Sequence, residues 1–156
     1  MKNFFLNIKN KFLQKKIDNS LNLLENKNRK FKMPVKKIGF IVDSELDIDY
    51  LDIVSLSENI GLKEKDIKVV SYSKTIFNDP FYKMRVSDNS INFFGNINSA
   101  DANEFISYNY DLLINYFGNN KILSLISSRC NANFRVGFDI SNQKLNDIIF
   151  KDIYNN

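Results

Sequence analysis

Residues 36–44 read KKIGFIVDS, and this stretch decides the fold class. Ile38, Phe40, Ile41 and Val42 form an almost unbroken apolar run, bounded by two lysines before it and by Asp43 and Ser44 after it. An apolar run without polar alternation is the pattern of a strand covered on both faces, which is the environment of a parallel sheet. Asp43 or Ser44 is then the expected N-cap of a helix with apolar positions Leu46, Leu51, Val54, Leu56 and Ile60, which Gly61 would end.

Working outward, IKVVSYS (67–73) reads as a second strand and DLLINYF (111–117) as a strong buried one. SINFFG (90–95) is a candidate third strand, and NFRVGF (133–138) a last short one. Helices are expected from Ser99 to Tyr108, from Lys121 to Cys130, and at the end through Leu145, Ile148 and Ile149. The segment 74–95 gives little periodicity, and NDPFYKMR (78–85) reads as a surface loop that presents Phe81, Tyr82, Lys83 and Arg85 together. Strands that alternate with helices favour a three-layer, Rossmann-like α/β domain with a mostly parallel sheet of four or five strands. Ile38–Val42 and 112–115 would be its inner strands.

Ahead of this domain, residues 3–26 read as one long basic helix. Phe5, Ile8, Phe12, Leu13, Ile17, Leu21 and Leu24 recur at spacings of three and four, with no proline or glycine to interrupt them. Phe4, Phe5, Ile8 and Phe12 group on one side of that helix, and Leu13, Ile17, Leu21 and Leu24 on a face rotated from it. The first turns are then open to another molecule while the last ones dock on the domain. The polar connector NKNRKFKMP (26–34) ends at Pro34, which places a division into 1–35, helix and linker, and 36–156, α/β domain.

Charge divides in the same place. The first 37 residues hold eleven Lys or Arg against two acids, whereas the rest hold eleven against sixteen. A basic arm on a mildly acidic body points to an anionic partner. The expected phosphate contacts are Lys9, Lys11, Lys15, Lys16, Lys27, Arg29, Lys30 and Lys32. RNA or a ribonucleoprotein such as the ribosome is the first expected partner. An anionic membrane surface met by the amphipathic helix, and a protein contact through its apolar side, are the alternatives.

At 156 residues, with 44% hydrophobic and 26% charged residues, the chain has the composition of a folded domain with a core of its own. Cys130 is the only cysteine and histidine is absent. An intrachain disulfide, a zinc site of the usual Cys/His kind and a Ser-His-Asp or Cys-His arrangement are thereby excluded. No apolar run approaches the roughly 20 residues of a membrane span. The lysine-studded start lacks the form of a signal peptide, so a cytoplasmic location, ribosome- or inner-membrane-associated, is the expectation.

Doubly wound sheets bind ligands beyond the carboxyl ends of their strands. Asp43, Ser44, Ser73, Asn115 and Asp139 are the candidates for such a crevice, and Asp43 with Asp139 for a cation, although helix capping is the favoured role of Asp43. The turn after the first strand has neither a G-x-G-x-x-G nor a phosphate-loop lysine, and its acids would repel a diphosphate. No cofactor is expected, and general acid–base catalysis lacks a clear candidate pair. Phe93 and Phe94 are candidates for stacking on bases, but two neighbours on a strand face opposite ways, so core packing would claim one of them.

The segments KKIGFIVD (36–43), IKVVSYS (67–73), YDLLINYF (110–117), LSLISSRCNANFRVGF (123–138) and LNDII (145–149) resemble, in order, an uncharacterised family of small proteins. Its members occur in Bacteroidota, notably flavobacteria, and form a domain of unknown function. The likeness extends to the basic N-terminal helix, and it implies organisation and phylum. It implies no catalytic residue.

Overall fold

The structure is a computed structural model that describes residues 1–74, 81–138 and 142–151. Helix α1 (Lys2–Glu25) leads into β1 (Ile38–Asp43), α2 (Tyr50–Asn59), β2 (Ile67–Tyr72), β3 (Met84–Val86), α3 (Ala100–Ser107), β4 (Asn109–Tyr116), α4 (Lys121–Arg129), β5 (Asn131–Phe138) and β6 (Ile148–Phe150). The six strands form one sheet in the order β3-β2-β1-β4-β5-β6, with every neighbouring pair parallel. This is the doubly wound, Rossmann-like order, in which the chain leaves the centre in both directions.

Right-handed crossovers then determine which helix lies on which face. The β1–β2 connection puts α2 on one face, and the β4–β5 connection puts α4 on the other. Helix α3 and the β5–β6 connection, through Leu145, join the α4 face, and α1 packs across α4. Leu13, Ile17, Leu21 and Leu24 of α1 are buried in the same core as Leu113, Phe117, Leu123 and Leu125. The apolar face rotated from Phe5 and Phe12 is therefore the docked one.

The α2 face differs. Ile53 points from α2 onto Ile38, Phe40, Val42 and Val69, which are buried. Further across the sheet the described side chains become more exposed. Register places Phe40, Ile114, Val136 and Ile148 in one row, and Val42, Tyr116, Phe138 and Phe150 in the next. Exposure climbs along these rows from 3% and 0% at Phe40 and Val42 to 46% and 54% at Ile148 and Phe150, with partly buried side chains between.

Several expectations are corrected. Helix α2 starts at Tyr50 with Asp49 as its cap, because the Asp43 carboxylate instead accepts from the Glu45 amide and ties to Asn120. Among the described residues the sheet has six strands, not four or five. The additional strands are three-residue edges, one starting at the end of the expected loop 78–85 and reaching Val86, and one within the expected closing helix. SINFFG is a turn: Asn92 accepts from the amides of Phe94 and Asn96, and Gly95 takes φ +76°. Ser99 and Gly61 stand at helix ends as expected, and Asn120 caps α4, which the sequence reading did not name.

Candidate functional site

The strand-end crevice is split in two. Beyond β1, β2 and β3 lies a cleft of about 700 Å³, to which Ser44 and Ser73 contribute, with Glu45, Asp47 and Asp49 on one wall and Lys74 and Arg85 on another. Lys74 Nζ pairs with Glu45 at 3.4 Å, and Arg85 Nε donates to the Tyr82 carbonyl at 2.9 Å. Three carboxylates face two cations here, so the cleft offers no net pull on a phosphate.

The second cleft, about 620 Å³, opens between the ends of β1 and β4, where the winding of the sheet reverses. Dinucleotide-binding sheets place a pyrophosphate here, on a helix N-terminus. In this chain the Asn120 side chain occupies the α4 N-terminus, accepting from the amides of Ile122 and Leu123 at 3.1 Å and donating to Asp43 at 3.3 Å. Leu6, Lys9 and Leu13 of α1 form a wall of the cleft. Lys9 Nζ donates to the Asp88 carbonyl, and the Tyr72 hydroxyl donates to the Asp88 carboxylate at 2.6 Å. Burial, and then that hydrogen bond, push the Tyr72 phenol well above its ordinary pKa, so it serves as a neutral donor.

Asp43 thus lies on the second cleft, and Ser44 and Ser73 on the first. Asn115 reaches neither. It alternates against Ile114 and Tyr116 and so points into the α4 face, where it donates to Asn146 at 2.7 Å and accepts from Ser127 at 2.8 Å. Asp139 lies outside the described residues. Among the described residues no group of three or more Cys, Asp or Glu is placed to hold a metal ion.

Sharing Ser127 with Asn115 is the fully buried Arg135, which the sequence pattern does not single out. Its guanidinium donates to the Ser127 carbonyl at 2.7 Å and to the Cys130 carbonyl, and burial lowers its pKa to about 10. Cys130 donates to the Ile126 carbonyl at 3.3 Å. Burial pushes its thiol up to about 12, with Arg135 pulling the other way. A thiol held neutral in this way is a core group and a poor nucleophile.

The basic arm separates into free and committed cations. Lys11, Lys15, Lys27, Lys30 and Lys32 are exposed, and Lys16 is half-buried. Arg29 is committed: its guanidinium pairs with Asp147 at 2.9 Å and tethers the connector to the end of the sheet.

One assembly was not legible in any single segment. Phe5 and Phe12 of α1 meet Phe93 and Phe94 of the turn, and Phe4 packs on Phe5, with successive ring centroids 5.5–6.4 Å apart. All five rings remain exposed. Gly95 makes this possible, since a Cβ there would stand 3.0 Å from the Leu13 backbone nitrogen. The signal was present in Asn92-Phe93-Phe94-Gly95, with Asn first and Gly fourth as a type I turn prefers. Helical spacing sets Phe5 and Phe12 between Lys9 and Lys16 on one side and Lys11 and Lys15 on the other.

The model of one family, DUF6913, described as a family of unknown function, matches residues 9–156. The chain belongs to DUF6913. That match takes in the first cleft, all of the second but Leu6, the Arg135 cluster and the turn 92–95, while Phe4 and Phe5 precede it. No curated protein and no solved structure matches the chain.

Proposed function

We propose that this DUF6913 member is a non-enzymatic binding protein whose N-terminal helix and 92–95 turn hold single-stranded segments of an RNA or ribonucleoprotein. The observation that carries this reading is the cluster of five exposed phenylalanine rings bordered by lysines. Aromatic faces accept bases of any sequence, at about 1–3 kcal/mol per stacked base, and the lysines add salt-sensitive attraction to the backbone. The free part of the reading is its setting: a cytoplasmic protein of Bacteroidota, with the ribosome as the foremost RNA-rich assembly.

A helix lying on a bilayer needs a broad apolar arc along its length. In α1 that arc is occupied by α4, leaving a narrow Phe5–Phe12 stripe between lysines, which favours a polyanion with planar bases. No described helix is long and apolar enough to cross a membrane.

The test is fluorescence anisotropy with a labelled mixed-sequence single-stranded RNA. Removing residues 1–32 would uncover the core at Leu13, Ile17, Leu21 and Leu24, so point substitutions are required. Lys11→Glu with Lys15→Glu should weaken binding and reduce its salt dependence, and Phe12→Ala with Phe94→Ala should weaken it about tenfold or more at constant salt. Affinity unmoved by both pairs, or binding to anionic vesicles in place of RNA, would defeat the reading.

A further inference from the structure

We infer that the cleft at the switch point takes one unstacked base of the strand held on the phenylalanine cluster, and that it selects guanine. This rests on the single-strand reading and adds to it a site that distinguishes bases, which the rings alone do not. Open α/β sheets bind their ligands outside the carboxyl ends of the strands, where the strand order reverses. The cleft of about 620 Å³ stands at that point, between β1 and β4, and has the volume of a small-molecule site.

The cleft and the rings are neighbours. Leu6 and Leu13, which line the cleft, follow Phe5 and Phe12 by one residue each, and so lie about 100° further round α1. Lys9 falls between the two stripes, and its Nζ donates to the Asp88 carbonyl at 3.3 Å, which holds it at the cleft. Its remaining protons are placed for the phosphate that joins a stacked base to an inserted one. The opposite wall is shared as well: Asp88 and Ile91 line the cleft, and Phe93 and Phe94 follow them in the chain.

The lining suits an uncharged ring. Leu6, Leu13, Ile91 and Ile122 give apolar walls for a flat group. Asp43, Glu45 and Asp88 balance Lys9, Lys74 and Lys121, so the cleft has no net pull on a phosphate. The amides of Ile122 and Leu123 at the α4 N-terminus, where an anion would bind, already donate to Asn120.

Asp88 chooses among the bases. Its Oδ1 accepts from the Tyr72 hydroxyl at 2.6 Å, which steadies the carboxylate, and its Oδ2 has no partner among the described residues. An ionised carboxylate only accepts. Guanine alone carries two adjacent donors, N1–H and the 2-amino group, on the edge that unpaired bases present for recognition. Adenine and cytosine set an acceptor beside the amino group, and uracil has a single N–H. The side-chain amides of Asn10 and Asn119, also without a partner among the described residues, offer donors for guanine O6 and N7.

The test is fluorescence anisotropy of the full chain with labelled oligouridine strands of about ten nucleotides. The strands are alike except for uridine, guanosine or inosine at one central position. The guanosine strand should bind about tenfold tighter than the uridine strand, and inosine, which lacks only the 2-amino group, should lose most of that gain. Asp88→Asn keeps an acceptor for the Tyr72 hydroxyl but loses the second one, so it should bring the guanosine strand down to the inosine level. Phe12→Ala with Phe94→Ala should weaken all the strands by one common factor. Equal affinity for every strand overturns the inference and leaves the single-strand reading standing. A guanosine preference that survives Asp88→Asn, or that vanishes with the rings, places the recognition elsewhere and overturns it too. Failure of every strand to bind defeats the single-strand reading, and this inference with it.

Discussion

The two faces of the sheet are built from the same kind of strand yet end in different states. Against α4, the side chains of Leu113, Phe117 and Arg135 are wholly covered, and polar groups such as Asn115 and Ser127 find partners within the layer. Against α2, the neighbouring residues of the same strands, Leu112, Ile114 and Tyr116, are only partly covered. Strand sequence cannot distinguish these two sides, because both are apolar. Crossover handedness does, by sending α3, α4 and Leu145 to one face, where α1 joins them, and α2 to the other, where Leu62 and Tyr82 join it.

Substitution at adjacent residues of β4 gives the largest contrast. Leu113→Ala should cost about 3–4 kcal/mol, because α4 and Tyr110 pin the surroundings of the cavity, and Ile114→Ala about half of that. Urea denaturation of each variant beside the wild type measures both. Equal costs would show that the α2 face is as well covered as the α4 face.

Two glycines sharpen the comparison. A Cβ on Gly137 would collide with Asn146 and break the Asn115–Asn146 hydrogen bond, so Gly137→Ala should cost about 2–3 kcal/mol. Gly61, at the end of α2, has φ +83° but open space around it. Its alanine variant meets only the left-handed backbone penalty, about 1 kcal/mol. Thermal melts of the two variants should rank in that order.

Covering also sets alkaline behaviour. In the folded chain the Cys130 thiol is raised to about 12, against 9.0 for an ordinary thiol. The folded state therefore holds this proton more tightly than the unfolded state does. The stabilisation is complete below pH 9.0 and falls by about 1.4 kcal/mol per pH unit at most until about 12. Burial raises Tyr110 as well, which adds a loss of the same sign. Urea midpoints at pH 8, 9 and 10 should fall less steeply in Cys130→Ala than in the wild type. A thiol reagent should label Cys130 at pH 8 only after unfolding, and rapid labelling of the folded chain would show that the α4 face opens.

Much of the framework was readable. The inner strands announced themselves through continuous apolar runs, and Ser99 and Gly61 marked helix ends because capping is a local matter of one residue and a few amides. Edge strands are different. Met84–Val86 and Ile148–Phe150 are three residues long, too short to show a period. Leu145, Ile148 and Ile149 even carry helical spacing, and pairing with Val136–Phe138 overrides it. Of the crevice residues, Ser44 and Ser73 meet on one cleft. Asn115 was misjudged because its place near a strand end says nothing about which face it points to.

By itself, then, the sequence determined what depends on neighbours along the chain: the apolar strands, the caps, the length of α1 and the excess of lysine at its start. Only the tertiary structure decided what depends on separate segments meeting. It put Phe93 and Phe94 against Phe5 and Phe12, filled the α4 N-terminus with Asn120, and turned Asn115 into the α4 face. Those outcomes come from the handedness of crossovers and from close backbone approach at Gly95, neither of which is written in any single stretch of residues.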